Sequence, residues 1–329
     1  MTTPIIEANS LTKYYKVYIP RKGFIGHAKD IFKREYKIIH AVSGIDLSIN
    51  KGEIVGYIGL NGAGKSTSIK MLTGIMKASE GNVKICGLNP YENRKKIAGD
   101  ISVIFGQKTH LWTDLPVCDS FELIKEMYNI PKEQYEEKME WLNTYLNFDE
   151  IWKQQVRKLS LGQKMLCEIA VSLIYNPKIL FLDEPTIGLD VLVKNKVISL
   201  IKEINRTYET TVLVTSHDLK DIESLCNRII MIDKGSIVYD GSLQNVFERY
   251  GEGGNKVIFY AEKNLEAEDF TSISKKYTIE INDNELCIEY DDKYPVTAII
   301  SEVIQCYGDF YDMTIKKGDL EEVVKKIYA

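Results

Sequence analysis

The sequence predicts an α/β protein with a parallel central sheet, and three observations lead to that prediction. From Lys178 onward, β-rich runs such as ILFLDEP and TTVLVTSHD alternate with helical runs, an order typical of a parallel sheet covered by helices. A glycine-rich stretch, GLNGAGKST, joins an apolar run to a helical one. A further β/α segment follows the polar, glycine-rich stretch GEGGN. The chain therefore suits two domains, residues 1–250 and 251–329.

Composition limits the class of protein. The 329 residues are 44% hydrophobic, with a net charge of −5 and a pI near 5.6, which does not favour a nucleic-acid binder. The six cysteines form no CxxC pair, so we expect reduced thiols in a cytosolic protein. The N-terminus does not have the pattern of a signal peptide, and no apolar run approaches the roughly 20 residues that span a bilayer. Work at a membrane would need another chain to span it.

The stretch GLNGAGKST, Gly59 to Thr67, has the composition of a phosphate-binding loop. Its glycines let backbone N–H groups approach a phosphate, and the following helix adds its positive end. Lys65 can reach the β- and γ-phosphates, Ser66 offers a hydroxyl to Mg²⁺, and Thr67 a second hydroxyl near the phosphates. A chance glycine-rich loop would not fill every position of this pattern. The stretch predicts nucleotide binding, but not what the nucleotide is used for.

Acidic residues and a histidine follow two of the β-rich runs. Asp183 and Glu184 close ILFLDEP, and His217 closes TTVLVTSHD. Because ligands bind at the carboxyl ends of parallel strands, we expect Asp183 to bind Mg²⁺ with Ser66, and Glu184 to take a proton from the attacking water. His217 can hydrogen-bond the γ-phosphate, although a lone histidine is more often structural.

A second candidate anion site, LSLGQ, opens a helix between these motifs. Ser160 and Gly162, with the N–H groups at the start of the helix, can receive a phosphate. Taken alone, LSLGQ is more simply an ordinary helix cap. Its place between the phosphate loop and the acidic strand makes chance a poor explanation.

This ordered set of motifs resembles the nucleotide-binding subunit of ATP-binding cassette (ABC) transporters over about Ile5 to Tyr250. GLNGAGKST is similar to that family's Walker A, ILFLDEP to Walker B, LSLGQ to the signature motif and TIGLD to the D-loop. Gln107 resembles the Q-loop glutamine and His217 the switch histidine. Tyr15 resembles the aromatic residue that stacks on adenine, with Tyr14 as a competing assignment.

The resemblance implies a P-loop ABC ATPase fold with a parallel core sheet, an antiparallel β subdomain and an inserted α-helical subdomain at about 108–176. It also implies ATP and Mg²⁺ as ligands. Two subunits, identical or different, would form a head-to-tail dimer with each ATP between Walker A of one and the signature helix of the other. The signature has Leu161 where LSGGQ has glycine, but Gly162 is kept, so we expect activity.

Site roles follow from the same resemblance. The implied catalytic residues are Glu184, His217, Lys65 and Gln107. The implied nucleotide-binding residues are Tyr15, Asn61, Gly62, Ala63, Gly64, Lys65, Ser66, Thr67, Ser160, Gly162, Gln163 and Asp190. The implied Mg²⁺ ligands are Ser66, Gln107 and Asp183.

The stretch HLWTDLPVCDSFELIKEMYNIP, with DEPTIGLDV and the C-terminal domain, resembles cassettes that pair with ABC-2-type permeases, mostly exporters. This implies ATP hydrolysis coupled to transport by a separately encoded permease, at the cytoplasmic face of the cell membrane. Trp112 and Leu115 are candidates for contacts with the permease, and core packing is an equal alternative for Trp112. A rival interpretation is a soluble ABC ATPase acting on ribosomes or DNA. The single Walker A, the single signature and the lack of a heptad insertion disfavour it.

Two regions lie outside these motifs. Residues 16–40 form a basic insertion in which seven basic and two acidic residues give a local charge of +5. It suits a membrane surface or a partner, or equally a solvated insertion with a short helix packed on its own domain.

Residues 251–329 have the order βαββαβ with an added helix, which predicts a small ferredoxin-like domain. A ligand-sensing or dimerising role for that domain is a hypothesis.

Overall fold

The computed structural model describes residues 3–20, 35–106, 109–250, 255–290, 295–308, 310–316 and 320–328. The chain divides into two compact units, Met1–Gly241 and Ser242–Ala329. The second unit begins before the predicted boundary at residue 250 because the helix Leu243–Tyr250 packs against the C-terminal helix Leu320–Tyr328. Within the described ranges, no helix combines the length and the apolar character that crossing a membrane requires.

Strands and helices alternate along most of the first unit. Its strands are β1 (Ile6–Ile19), β2 (Glu35–Ile49), β3 (Ile54–Gly59), β4 (Glu80–Ile85), β5 (Ile101–Phe105), β6 (Ile179–Asp183), β7 (Thr211–Thr215), β8 (Arg228–Asp233) and β9 (Ser236–Ser242). Its helices are α1 (Lys65–Leu72), α2 (Arg94–Ile97), α3 (Val117–Met127), α4 (Lys132–Asn143), α5 (Leu161–Leu173), α6 (Val191–Tyr208) and α7 (Leu219–Leu225).

Six strands form the central sheet in the order β5-β6-β7-β3-β8-β9. The four pairings from β5 to β8 are parallel. Every residue of β7 and the first four of β6 are buried, as expected for parallel strands covered on both faces. Since β6, β7 and β3 are neighbours, Asp183, Thr215 and Gly59 end their strands at the same edge.

The antiparallel sheet β2-β1-β4 differs from the sequence interpretation in how far its strands extend. The sequence suggested an insertion at 16–40, but β1 continues to Ile19 and β2 begins at Glu35. Tyr18 pairs with Tyr36 across the two strands, because aromatic and β-branched residues suit extended strands. The ends of the predicted insertion are therefore strands, and residues 21–34 lie outside the described part of the chain.

Helices replace strands between β5 and β6, as predicted for the helical subdomain. Val117, Phe121 and Ile124 of α3 are buried on one face of the helix. Phe121 packs edge-on against Phe148 and Trp152, with ring centroids 5.6 and 5.2 Å apart. This aromatic cluster joins α3 to the turns that precede α5.

The second unit has an antiparallel sheet with the order β11-β12-β10-β13. Its strands are β10 (Asn255–Ala261), β11 (Thr278–Asn282), β12 (Glu285–Tyr290) and β13 (Phe310–Lys316), and its helices are α8 (Leu243–Tyr250), α9 (Thr271–Ser274), α10 (Val296–Cys306) and α11 (Leu320–Tyr328). The first helix predicted within βαββαβ is reduced to a 3₁₀ turn, Ala267–Phe270, and the short α9. Phe259, Phe270 and Ile299 are among the residues of a separate core.

Candidate functional site

The phosphate-binding loop connects β3 to α1, as the sequence predicts. Gly62 and Gly64 have φ angles of 83° and 110°, values that side-chain-bearing residues rarely adopt. A Cβ atom on Gly64 would also lie 2.5 Å from the Ala41 carbonyl oxygen. Glycine at these positions lets the loop turn sharply into α1, whose first N–H groups lack helical acceptors.

Lys65, the first residue of α1, lies within this loop rather than in solvent. Its side chain is buried, and Nζ donates hydrogen bonds to the carbonyl oxygens of Gly59 at 2.5 Å and Leu60 at 3.3 Å. Burial lowers the pKa of Lys65, while the carboxylates of Glu184 and Asp183 oppose that shift. The ammonium group is thus held between the loop and the acidic end of β6.

Asp183 joins three elements at the edge of the sheet. Its Oδ2 atom accepts a hydrogen bond from the Ser66 hydroxyl at 3.3 Å, and Oδ1 accepts one from the Thr215 hydroxyl at 2.7 Å. Ser66 belongs to α1 and Thr215 ends β7. Two residues predicted to share one site are therefore in contact, and Thr215, which the sequence analysis missed, fixes the carboxylate between them.

Glu184 is held in an unusual backbone conformation beside His217. Its φ angle of 58° lies in the left-handed region, which costs about 1 kcal/mol or more for a non-glycine residue. The Glu184 N–H donates to the carbonyl and hydroxyl oxygens of Thr215, at 3.1 and 3.0 Å. Its Oε1 atom lies 2.5 Å from His217 Nε2. These contacts hold the carboxylate and the imidazole at the edge of the sheet where Lys65 also lies.

Asp221 organises the segment beyond Glu184. This buried residue accepts hydrogen bonds from the hydroxyl groups of Thr186 at 2.6 Å and Ser216 at 3.4 Å. Its Oδ1 atom lies 2.8 Å from Lys194 Nζ. The cluster connects α6 and α7 to the residues that flank Glu184 and His217. Sequence reasoning did not predict this cluster. Asp221 follows His217 by four residues and lies in the first turn of α7. That short spacing is a weak sequence signal that the two residues belong to the same region.

The LSLGQ stretch caps α5. The Ser160 hydroxyl accepts a hydrogen bond from the Gln163 N–H, and the Ser160 N–H donates to the Gln163 side chain, the reciprocal pair of a capping box. A Cβ atom on Gly162 would lie 2.6 Å from Val193 of α6. Asp190 caps α6 by accepting from the N–H groups of Leu192 and Val193.

The predicted site residues therefore form two groups. Lys65, Ser66, Asp183, Glu184 and His217 lie at one edge of the central sheet, connected by the contacts above. Ser160, Gly162, Gln163 and Asp190 belong to the starts of α5 and α6. Among the described residues, no hydrogen bond or ion pair joins the second group to the first.

Known proteins share this architecture. The sequence profile of the family described as ABC transporter matches residues 42–187. The chain is 30% identical over 217 residues to the ABC transporter ATP-binding protein NatA of Bacillus subtilis (strain 168), covering 66% of this chain and 88% of NatA. The chain belongs to the ATP-binding proteins of ABC transporters. Proteins of this family hydrolyse ATP, so the chain is an ATPase.

Two further comparisons describe what this ABC ATPase resembles. It is 33% identical over 221 residues to the methionine import ATP-binding protein MetN of Corynebacterium jeikeium (strain K411), covering 66% of this chain and 60% of MetN. A solved dimeric structure of the ATP-binding cassette MJ0796, in a post-hydrolysis state with ADP and Pi, matches with 26% identity and a TM-score of 0.59. That match covers 72% of this chain and 98% of MJ0796. Cassettes of this family dimerise and pair with membrane permease subunits.

The donor atoms at the acidic edge of this ABC ATPase suit Mg²⁺. Among the described residues, no cluster of three or more His, Cys, Asp or Glu side chains is arranged to hold a metal ion. The Ser66 and Asp183 oxygens nevertheless lie 3.3 Å apart. Mg²⁺ commonly takes only one or two protein oxygens, with water and phosphate oxygens completing its coordination. The pair therefore fits this ion.

Two predicted site residues, Tyr15 and Gln107, have no described contact with the residues at the acidic edge. The Tyr15 hydroxyl lies 3.3 Å from the Met76 sulfur, and Lys13 Nζ is 5.4 Å from the centre of the tyrosine ring. The competing residue, Tyr14, instead packs near His40, with ring centroids 5.9 Å apart. Gln107 lies outside the described residues.

Proposed function

We propose that this chain is the ATP-hydrolysing subunit of an exporter that serves a separately encoded ABC-2-type permease at the cytoplasmic face of the cell membrane. The observation that carries the ATP-hydrolysing part of the proposal is the convergence of Lys65, Ser66, Asp183, Glu184 and His217 at one sheet edge. The resemblance of residues 110–131 and DEPTIGLDV to cassettes of that type supports the choice of permease.

Each of these residues has a chemical role in the proposed reaction. Lys65 binds the β- and γ-phosphates as a point charge. Glu184 accepts a proton from the water that attacks the γ-phosphorus, while the bond to the ADP oxygen breaks. His217, in contact with Glu184, holds the carboxylate and the γ-phosphate in place. Ser66 and Asp183 would hold Mg²⁺, which would neutralise phosphate charge there.

The remaining assignments concern the nucleotide and the second subunit. We assign the loop Asn61 to Thr67 to the phosphates, Tyr15 to adenine, and Gln107 to Mg²⁺ and the attacking water. Ser160 and Gly162 lie at the start of α5, and among the described residues neither of them is hydrogen-bonded to the phosphate loop of its own chain. The ATP held by one subunit would therefore be completed by the signature helix of a second.

Exposed apolar residues around the signature helix support such a dimer. Leu161 and Ile187 are 51% and 46% exposed, and Val191 and Leu192 are 71% and 76% exposed. A Cβ atom on Gly188 would lie 3.1 Å from the Leu161 side chain, so the start of α5 and the segment before α6 are neighbours. Apolar groups concentrated in this way are typical of protein interfaces. Since one chain carries every motif, a homodimer would have two competent sites.

Co-purification from membranes tests the choice of partner. We expect the tagged chain, extracted in mild detergent, to retain a multi-spanning ABC-2-type permease. Trp112→Ala should weaken that association if this 39% exposed residue contacts the permease, whereas the matched change at Met127, 64% exposed, should not. Recovery of ribosomal subunits or DNA instead would support the rival soluble ATPase. Recovery of an importer-type permease with a substrate-binding protein would overturn export.

A further inference from the structure

Glu168 is a buried carboxylate on α5, two helical turns after Ser160. Both of its oxygens accept hydrogen bonds from the His110 backbone N–H, each 3.0 Å long. Oε1 also accepts from the Thr109 hydroxyl and from the Leu111 N–H, the latter at 3.4 Å, and Oε2 lies 3.1 Å from His110 Nδ1. One carboxylate therefore binds three consecutive residues of the loop between β5 and α3.

This carboxylate carries its charge in a buried position. Burial acts to raise the pKa of Glu168, but hydrogen bonds from His110 and Thr109 outweigh burial and keep the pKa below its ordinary value. An ionised carboxylate only accepts hydrogen bonds, which matches the N–H and O–H donors around it. A buried charge is tolerated when such donors surround it, and its loss would take both acceptors from the His110 N–H.

The two partners of this network belong to two different parts of the proposed ATP site. The loop residue Thr109 follows Gln107 by two positions, and α5 begins with the LSLGQ stretch. The same loop is tied onward to α3, because the Trp112 N–H donates to the Ser120 hydroxyl at 3.2 Å. Glu168 thus connects the loop to the signature helix.

The buried face of α5 gives no other reason for an acidic residue. Most of the other buried residues of this helix are apolar, among them Met165, Ile169 and Leu173. An apolar residue at 168 would pack on this face without leaving a charge to be satisfied. The carboxylate instead accepts from the His110 N–H, and it shares the Leu111 N–H with the Thr109 hydroxyl.

We propose that Glu168 is a positioning residue that holds the loop after Gln107 against the signature helix, so that these two parts of the ATP site keep a fixed relation when the dimer closes. The proposal rests on the ATP-closed dimer described above. It assigns Glu168 no contact with ATP. Its loss is therefore expected to affect turnover and dimer closure rather than ATP binding by a single subunit.

Glu168→Gln tests this role because glutamine keeps the size of the side chain but replaces one accepting oxygen with a donor. We expect kcat to fall roughly tenfold to hundredfold, the equivalent of about one lost charge-assisted hydrogen bond. The Kd of a fluorescent ATP analogue for the isolated subunit should change by less than about twofold. Glu168→Asp, which keeps the charge, should recover part of the lost kcat.

Two further variants keep the test decisive. Glu140→Gln makes the same chemical change at an exposed position of α4 and should leave kcat unchanged. Thr109→Val removes one donor to Glu168 and the hydroxyl that accepts from the Leu111 N–H, but leaves the contacts of the His110 N–H, so kcat should fall only by a factor of about 2 to 10. Thr109→Val also serves if Glu168→Gln folds poorly.

The outcome is separable from that of the proposed dimer. A Glu184→Gln protein should form an ATP-dependent dimer, and adding Glu168→Gln should weaken it. If Glu184→Gln alone stays monomeric, the dimer proposal fails, while the kcat measurements still test Glu168. Unchanged kcat in both Glu168→Gln and Thr109→Val would overturn the inference. So would a parallel loss of kcat, ATP affinity and thermal stability, which indicates a purely structural role.

Discussion

The two units of this chain differ in how their sheets place polar residues. In the first unit, parallel strands end at a common edge, so Gly59, Asp183 and Thr215 meet although they are far apart in sequence. In the described part of the second unit the strand pairings are antiparallel, so neighbouring strands of that sheet end at opposite edges. Parallel strands therefore bring the polar side chains at their ends together, whereas antiparallel strands place such side chains at opposite edges of the sheet.

Burial of charge shows the same difference. Within the described residues, the first unit buries Lys65, Lys138, Glu168 and Asp221, whereas the buried residues of the second unit are apolar apart from Tyr277. A buried charge costs free energy unless it is paired or hydrogen-bonded, and two of these four residues, Lys65 and Asp221, belong to or flank the candidate site. We therefore locate ATP chemistry in the first unit and expect only packing or regulatory effects from the second.

The largest effect is expected at the catalytic edge. Glu184→Gln should reduce ATP turnover about 10²- to 10⁴-fold, because the water loses its proton acceptor. ATP binding should persist, since Lys65 and the loop are unchanged. Phosphate release and analogue binding measure the two properties separately. Turnover at the normal rate would remove Glu184 from its assigned role.

Core packing provides the next test. Phe259, 1% exposed in the core of the second unit, packs against Phe310 with ring centroids 5.0 Å apart. Phe259→Ala should lower the free energy of unfolding of that unit by about 3 to 5 kcal/mol. ATP binding by the first unit should survive, and Tyr311→Ala, at a 62% exposed position, is the control. Thermal scans with and without ATP distinguish the units, and joint loss of both transitions would argue against their independence.

A buried lysine gives the first unit a pH dependence. Burial lowers the pKa of Lys138 from 10.5 to about 8, and its Nζ atom lies 3.3 Å from the centre of the Tyr208 ring. Between pH 8 and 10.5 the unfolded chain holds a proton that the folded chain has lost, so stability should rise with pH across that range.

Lys138→Met should reduce this rise and increase stability at pH 7 by about 1 to 3 kcal/mol. Lys132→Met is the matched control, because Lys132 is exposed on the same helix. Denaturant unfolding at several pH values measures both variants. An identical pH profile in the wild-type and Lys138→Met proteins would show that this ammonium is not destabilised in the folded state.

The smallest effect is expected from removing the second unit. Ending the chain at Gly241 should leave ATP binding intact. If the second unit regulates or dimerises the cassette, turnover or the dimer dissociation constant should change by about fivefold or more, the usual lower range of coupling between sites. Unchanged turnover, dimerisation and transport would remove both roles from the second unit.

Local sequence patterns identified the phosphate loop and the acidic end of β6, which the structure brings together at one edge of the central sheet, and the LSLGQ cap at the start of α5. Each of the three is a contiguous run with a recognisable pattern of residue types. The contacts of Glu168, Asp221 and Thr215 could not be predicted, because each joins residues that only folding brings together. The left-handed conformation of Glu184 depends in the same way on hydrogen bonds from β7.

The extent of the elements was less predictable than their existence. β1 continues to Ile19 because it pairs with β2 across a long connection, and alternation weakens where both faces are exposed. Helix Leu243–Tyr250 belongs with the second unit because it packs on Leu320–Tyr328. The residues near this helix in sequence do not predict that contact.

Sedimentation velocity of Glu184→Gln with ATP and Mg²⁺ tests the central claim most directly, which is that the phosphate loop of one subunit and the signature helix of another close on the same ATP. We predict a dimer that disappears without ATP, and a monomer that still binds ATP when Leu161→Arg is added. A monomer in the first case, or an unaffected dimer in the second, would contradict the claim.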